Sequence, residues 1–169
     1  MKIYSLRIKR YYDVVEDKDL KTIDNILTDR SWLMQSSHEA GEKIFFQSFL
    51  TSDEHQLLGK LFVSVLLEYI KEHNISNVLF EKSYINCHPC FCPGSWHVDN
   101  EVGITMLYYP LSTIDFGNEG ATAFENLESQ PYIGNSILIF PSNLLHMANE
   151  HSHKSVFRYT FAFKFFILG

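Results

Sequence analysis

Two histidines and one aspartate have the types and spacing of a metal-binding set. His97 and Asp99 lie two positions apart in the sequence, and residues two apart on an extended strand share a face. His146 follows an apolar run and a Pro-Ser-Asn turn, where one strand is predicted to end. Two imidazoles and one carboxylate form the facial triad that leaves open positions on iron(II) for substrate and oxygen. We therefore predict that His97, Asp99 and His146 bind one iron(II) ion.

An arginine twelve residues after His146 supplies a fixed positive charge. It begins a strongly alternating segment, whose one face is predicted to carry Arg158, Thr160, Ala162 and Lys164. A buried guanidinium without an anion is costly, and its fork matches a carboxylate. Arg158 therefore suits a dicarboxylate co-substrate, and the alternative is a surface ion pair with an Asp or Glu.

The other histidines near these motifs have different predicted positions. His151 and His153 lie in a polar, turn-like segment and are expected to face solvent. His88 precedes Pro89 close to the metal motif. It either lines the pocket or has a simple packing role.

Three cysteines, Cys87, Cys90 and Cys92, are concentrated just before the metal motif. A closed zinc site needs four ligands, and His88 is the nearest candidate for the fourth. We predict free thiols, with a zinc knuckle as the alternative. The odd number of cysteines argues against a disulfide scaffold and favours a reducing cytoplasm.

The composition indicates one globular domain over the 169 residues, with 46% hydrophobic residues and 23 Phe and Tyr side chains. A net charge of -6 argues against nucleic acid as a partner. No stretch reaches the roughly 18 apolar residues of a membrane span, so no membrane association is expected. The sequence does not predict an oligomeric state.

The pattern of elements indicates an α+β fold that is mostly β. A strand is predicted over 2–9, a helix over 17–27, a strand over 45–50, and a long helix to about residue 72 with Ser52 as its N-cap. Short strands follow at 78–80, 83–86, 104–109, 121–125, 137–140 and 159–168. The predicted helices, which support the fold, lie mainly within 17–73, and the predicted β core covers about 77–168. This order predicts a β-sandwich or jelly roll with the helices packed on one sheet.

The chain from about residue 84 to 166 resembles the iron(II)/2-oxoglutarate dioxygenases, in particular their prolyl 4-hydroxylase-like branch. The residues that carry the resemblance are His97-Val98-Asp99-Asn100, Thr105-Met106-Leu107-Tyr108-Tyr109, Gly120-Ala121-Thr122-Ala123-Phe124, His146 and Arg158-Tyr159-Thr160. The resemblance implies a double-stranded β-helix, which is a jelly-roll core with helices packed on one sheet. It also implies iron(II) as the metal, with 2-oxoglutarate and dioxygen as co-substrates.

The resemblance assigns further roles to individual residues. Arg158 is expected to hold the distal carboxylate of 2-oxoglutarate, and Tyr109 to add a hydrogen bond to it. Thr160 is expected to assist, and Tyr84 and Asn86 are further candidates for the co-substrate pocket.

The expected substrate is a prolyl residue in a peptide or protein. Trp96, Tyr108 and Phe91 offer flat aromatic surfaces of the kind that hold a pyrrolidine ring. Two alternatives remain open: a hydroxylase of a free amino acid or other small metabolite, and a non-catalytic jelly-roll module that binds a metal or ligand.

Overall fold

The computed structural model describes residues 6–28, 30–36, 44–112 and 114–168. Within these ranges the chain forms ten strands and two helices. In chain order they are β1 (Lys9–Tyr12), α1 (Asp17–Thr28), β2 (Leu33–Ser36), β3 (Ile44–Phe49), α2 (Ser52–Glu72), β4 (Asn77–His88), β5 (Gly103–Tyr109), β6 (Gly117–Phe124), β7 (Leu127–Tyr132), β8 (Ser136–Pro141), β9 (His146–Ala148) and β10 (Arg158–Leu168).

The strands form two sheets. The larger has the order β1-β8-β5-β10-β4-β3-β2, and the smaller has the order β7-β6-β9. Their strand pairs are antiparallel. The interior strand β5 is buried along its whole length, because both faces of the larger sheet are covered.

The two helices pack on the outer face of the larger sheet. Alternate residues of β5, β8 and β10 point towards them, since side chains alternate between the two faces of a strand. The helix side of this core includes Ile23, Ile26, Leu58, Phe62 and Tyr69, and the sheet side includes Ile104, Met106, Tyr108, Ile137, Ile139, Phe161 and Phe163. This core fixes β10, which carries Arg158, against β5.

A second apolar cluster lies between the two sheets. It consists of Leu107, Tyr109, Phe116, Phe124, Tyr132, Leu138, Phe140 and Ala162. These residues come from the opposite faces of β5, β8 and β10 and from β6, β7 and the loop before them. In one half of the space between the two sheets, these apolar side chains therefore hold the sheets together. The other half is left for polar side chains.

The N-cap of α2 is Thr51 and not Ser52, so that prediction was wrong. The Thr51 hydroxyl accepts from the Glu54 amide at 3.3 Å, and the Glu54 carboxylate accepts from the Thr51 amide at 2.8 Å. This capping box needs an acid three residues after the cap. Ser52 has His55 at that position, which explains why the helix begins where it does.

The two short strands predicted at 78–80 and 83–86 are one strand, β4. Between them the pairing with β10 shifts, since Lys164 pairs with Lys82 while Phe165 pairs with Phe80. Glu81 is the extra residue of this bulge, and a bulge interrupts the alternation of side chains. The Glu81 carboxylate accepts a hydrogen bond from the side-chain amide Nδ2 of Asn100 at 2.7 Å, so the bulge supports the segment that follows Asp99.

Three short strands were not predicted: β2, β7 and β9. Of the strand predicted over 2–9, residues 2–5 lie outside the described residues and residues 6–8 are not in a strand, so the prediction was wrong there; β1 begins at Lys9 and ends at Tyr12. No helix in the described ranges is long and apolar enough to cross a membrane.

Candidate active site

The structure brings the three predicted metal ligands together. One ligand atom from each of His97, Asp99 and His146 lies within 4.8 Å of the others. Within the described residues, no other group of three or more His, Cys, Asp or Glu side chains has this geometry. Asp99 and His146 are buried, whereas the His97 side chain is about half exposed. The triad therefore lies at the mouth of a pocket, with one imidazole towards solvent.

The prediction that His97 and Asp99 lie on one continuous strand was wrong. His97 forms an isolated β-bridge with His146, and the Asp99 amide donates to the Ser142 carbonyl at 2.9 Å. The expected alternation is not seen in the exposure of these residues, because His97 is exposed like its neighbours Trp96 and Val98 and only the Asp99 side chain is buried. Two backbone attachments to the segment 142–146 thus replace the strand that the spacing suggested.

The imidazoles of His97 and His146 are both oriented by backbone carbonyls. The Nδ1 of His97 lies 2.9 Å from the Ser95 carbonyl, and that of His146 lies 2.8 Å from the Leu144 carbonyl. Since a carbonyl only accepts, each Nδ1 carries the proton and each Nε2 is left free for a metal. Burial lowers the pKa of His146 to about 4, against the opposing charge of Asp99. His146 is therefore neutral at neutral pH, as a metal ligand must be.

The Asp99 carboxylate is held on one side. Its Oδ2 accepts from the Thr105 hydroxyl at 2.5 Å and from the Lys164 ammonium. Thr105 is itself 3.0 Å from the Ser142 hydroxyl. Burial raises the pKa of Asp99, but Lys164, His146 and Thr105 outweigh it, so the pKa lies below its usual value. Asp99 is therefore ionised, and none of Lys164, Thr105 and Ser142 was predicted as a site residue.

The triad opens into a cavity of about 260 Å³ between the two sheets. His97 and His146 form one part of its wall. The strands β3, β4, β6 and β10 supply most of the polar lining, including Gln47, Tyr84, Asn86, Thr122, Arg158, Thr160 and Lys164. The face of β10 that was predicted from its alternation therefore lines the cavity, from Arg158 to Lys164.

Arg158 is 1% exposed, so the alternative of a surface ion pair is wrong. Its Nε donates to the Gly120 carbonyl at 2.6 Å, and one Nη lies 3.5 Å from the Thr122 hydroxyl. No carboxylate of the described residues forms an ion pair with it. Burial lowers the pKa of Arg158, but a guanidinium keeps its charge in proteins. The cavity therefore contains a cation that a ligand carboxylate would satisfy.

Three of the predicted co-substrate residues, Thr160, Tyr84 and Asn86, line the cavity with Arg158. Tyr109 does not line it. Its ring lies 5.9 Å from the Arg158 guanidinium carbon. Its hydroxyl is 2.7 Å from that of Thr122. Thr122 therefore stands between Tyr109 and the cavity, and it is the hydroxyl that the sequence analysis missed.

His88 lines the cavity and is also packed, so both of its open alternatives hold. Its Nδ1 donates to the Cys92 carbonyl at 3.0 Å, and its ring stacks on Phe45 at 4.9 Å. Burial lowers the pKa of His88 to about 3, and the charge of Arg158 adds to the effect. A neutral imidazole therefore faces the cavity near Arg158.

His151 does not face solvent, and that prediction was wrong. It is 1% exposed, and its Nε2 lies 3.1 Å from the His88 carbonyl. Its ring packs edge-on against Phe116 at 4.8 Å. The polar segment around it folds back over the end of β4, which its composition did not reveal. His153 is partly exposed, with Nε2 3.9 Å from Glu119.

Cys87, Cys90 and Cys92 are free thiols. Burial raises the pKa of Cys87 to about 12, which disfavours the thiolate that zinc requires. Among the described residues, no group of potential ligands unites these thiols with His88. The absence of zinc remains a prediction.

Of the three aromatic side chains proposed for a substrate surface, two are accessible. Phe91 is 52% exposed and Trp96 is 39% exposed. Tyr108 is fully buried against Phe62, on the helix side of the larger sheet. It therefore cannot contact a substrate, because the pairing of β5 turns Tyr109 inward and Tyr108 outward.

No protein-family model and no curated protein sequence matches the chain. Its fold is nevertheless that of the 2OG-Fe(II) oxygenases, as solved structures show. A Pseudomonas putida prolyl-4-hydroxylase is 8% identical with a TM-score of 0.72, over 98% of this chain and 95% of that one. The viral collagen prolyl hydroxylase of Paramecium Bursaria Chlorella virus-1, in complex with 2OG, is 14% identical with a TM-score of 0.69, over 95% and 96%.

HygX from Streptomyces hygroscopicus, with nickel and 2-oxoglutarate bound, is 10% identical with a TM-score of 0.73, over 96% of this chain and 84% of that one. The similar structures also include the epimerase SnoN and the carbocyclase SnoK from nogalamycin biosynthesis. The expected mostly-β oxygenase fold is confirmed. Because the same fold carries several reactions, it does not identify a substrate.

Proposed function

We propose that this chain is an iron(II)- and 2-oxoglutarate-dependent oxygenase. The observation that carries the proposal is the pairing of two features in one cavity. A His-Asp-His triad lies at its mouth, and the buried Arg158 has no carboxylate partner among the described residues. A metal-binding module without a co-substrate has no need of a carboxylate site beside its metal. This argues against the non-catalytic alternative.

The residues present fit both cofactors. His97, Asp99 and His146 supply two imidazole nitrogens and one carboxylate oxygen, which suit iron(II) and leave room for other ligands. Arg158 would hold the distal carboxylate of 2-oxoglutarate, with Thr122 and Thr160 beside it. When bound, the pair would activate dioxygen, so that one oxygen atom is inserted into a C–H bond of the substrate and the other enters succinate as 2-oxoglutarate loses carbon dioxide.

The protein's own contribution is orientation and exclusion of water. Carbonyls of Ser95 and Leu144 fix the two imidazoles, so that both Nε2 atoms face one point. Gly120 and Thr122 fix the Arg158 guanidinium in the same way. A site assembled before the ligands arrive avoids reorganisation during the reaction.

For the substrate, we propose a prolyl residue in a peptide or protein. Several structures with this fold are prolyl hydroxylases, among them a collagen prolyl hydroxylase and one from Trichoplax adhaerens in complex with a peptide fragment. Trp96 lies between the cavity-lining residues Ser95 and His97 and is partly exposed. The Trp96 ring does not line the cavity, but an exposed aromatic surface next to lining residues suits a pyrrolidine ring.

A small molecule is the second candidate substrate. It is favoured by the presence of the same fold in an epimerase and a carbocyclase of antibiotic biosynthesis. A free amino acid or other metabolite would enter the cavity whole, without a docking surface around the mouth.

Mass spectrometry after incubation with iron(II), 2-oxoglutarate and a set of proline-containing peptides tests this function. We expect succinate and a peptide product heavier by one oxygen atom on proline, and neither with the His146→Ala variant. Succinate formation stimulated only by amino acids or metabolites would refute the prolyl assignment. No 2-oxoglutarate turnover with any substrate in a broad panel would refute the oxygenase.

A further inference from the structure

The cavity contains a second buried cation, Lys164, directly beside the metal-binding triad. Its ammonium pairs with Oδ2 of Asp99, and the two side chains are 2% and 7% exposed. Lys164 lies on the same face of β10 as Arg158, six residues further along. Because a metal ion also carries positive charge, a lysine at this place opposes metal binding. Its presence therefore needs a reason.

The surroundings of Lys164 leave Asp99 as its partner. Thr105 lies 3.5 Å from the ammonium, and the ring centre of Tyr84 is 5.8 Å away. Lys82 pairs with Lys164 across β4 and β10, but its own ammonium is exposed and bound to Glu81. No ion pair links Lys164 to any described carboxylate other than Asp99. Burying an ammonium without such a partner would be costly.

The pairing is also directional. Oδ2 of Asp99 accepts from both Lys164 and Thr105, whereas Oδ1 accepts no hydrogen bond from the described residues. Oδ1 lies 3.6 Å from Nε2 of His97, and Oδ2 lies 3.5 Å from Nε2 of His146. Both oxygens therefore face an imidazole, but Oδ2 is already engaged by the ammonium and the Thr105 hydroxyl.

We propose that Lys164 is a built-in counter-cation of the metal centre. It balances the charge of Asp99 while no metal is bound, and it competes with a metal for Oδ2, the oxygen that faces His146. This inference rests on the proposed function only in taking the triad as the metal site. It follows that Lys164 stabilises the metal-free protein more than the metal-bound protein, and that it weakens metal affinity.

Thermodynamic linkage connects these two effects. A substitution that destabilises the metal-free state more than the metal-bound state must tighten metal binding by the same free energy. Lys164→Met removes the charge and keeps an unbranched apolar side chain. We expect this variant to bind Mn(II) at least tenfold more tightly than the parent and to unfold at a lower temperature only when metal-free.

The experiment is a calorimetric titration of Mn(II) into the whole chain, with thermal unfolding measured with and without Mn(II). Lys164→Arg keeps the charge and should stay close to the parent in Mn(II) affinity. Lys82→Met removes an exposed lysine from the facing position on β4 and is the matched control; it should change neither measurement.

An unchanged or weaker Mn(II) affinity in Lys164→Met would overturn the proposal. An equal loss of stability with and without metal would also overturn it, because that is the result expected for a side chain that only packs. If Lys164→Met folds only when Mn(II) is added, the proposal is supported; if it folds in neither condition, packing is its role and the proposal fails. Turnover of 2-oxoglutarate separates the two hypotheses. If Lys164→Met changes Mn(II) affinity and stability as expected but the parent does not turn over 2-oxoglutarate, the oxygenase alone is refuted. If the parent turns over 2-oxoglutarate but Lys164→Met changes neither measurement, the role of Lys164 alone is refuted.

Discussion

The backbones of His97 and His146 are hydrogen-bonded to each other in both directions, with each amide 3.0 Å from the other's carbonyl. Their ring centres are 4.4 Å apart. This one bridge therefore closes a loop of the 48 residues that lie between His97 and His146 in the sequence. This bridge, which attaches the segment around His97 to β9, also sets the distance between the two imidazole ligands.

Loss of one of these two imidazoles should abolish metal binding by the triad. We expect His146→Ala to lose stoichiometric Mn(II) binding and 2-oxoglutarate turnover, since two remaining ligands do not form the triad. His153→Ala is the control, because His153 is partly exposed and lies outside the triad. Retention of Mn(II) binding in His146→Ala, measured by calorimetry, would show that another residue is the ligand.

Arg158 should contribute to co-substrate binding and not to metal binding. We expect Arg158→Met to weaken 2-oxoglutarate binding by about 1.5–3 kcal/mol, the range for hydrogen bonds to charged groups. Mn(II) affinity should stay near that of the parent. Arg7→Met, at an exposed arginine, is the control for loss of a positive charge. Calorimetry with unchanged 2-oxoglutarate affinity in Arg158→Met would remove the main support for an oxygenase.

Thr122 and not Tyr109 should provide the hydroxyl that touches the co-substrate. Thr122 lines the cavity, whereas the Tyr109 hydroxyl reaches only Thr122. We expect Thr122→Val, which keeps the shape, to weaken 2-oxoglutarate binding by about 1.5 kcal/mol or more. Tyr109→Phe should cost no more than about half of that. The reverse order of the two effects would mean that Tyr109 contacts the ligand directly.

The parts of the site that follow from alternation were predictable from the sequence. The two faces of β10 are the example, because period two along a strand needs no knowledge of the fold. Lys164 was placed on the correct face, but its pairing with Asp99 was not foreseen. That contact depends on how β5, β8 and β10 meet at Thr105 and Ser142, which is tertiary information.

The short strands β7 and β9 and the burial of His151 were harder to predict. The strand β9 has three residues and β7 contains a proline, so neither has the length or composition that indicates a strand. His151 was assigned to solvent from its polar neighbours. Its burial comes from a fold-back onto the His88 carbonyl, and nothing in the segment itself signals that contact.

The buried His88 should make stability depend on pH. Its pKa is lowered from 6.5 to about 3 in the folded chain, so the unfolded chain binds the proton more readily below pH 6.5. Stability is therefore present above that pH and is lost as the pH falls from 6.5 towards 3, by up to about 1.4 kcal/mol per pH unit.

His88→Asn tests this dependence. Its side-chain amide can donate to the Cys92 carbonyl in place of Nδ1 but does not titrate in this range. We expect urea unfolding at pH 7 and pH 5 to show a smaller loss of stability for His88→Asn than for the parent. His55→Asn is the control, at a partly buried histidine on α2 outside the cavity. An equal loss in His88→Asn and the parent would contradict the buried, neutral state of His88.

The most direct test of the central claim is a crystal structure of the protein with Mn(II) and 2-oxoglutarate. We predict one Mn(II) ion on Nε2 of His97, Nε2 of His146 and one carboxylate oxygen of Asp99. The distal carboxylate of 2-oxoglutarate should lie against the Arg158 guanidinium. A metal bound away from these three side chains, or a cavity that takes up no 2-oxoglutarate at saturating concentration, would contradict the account.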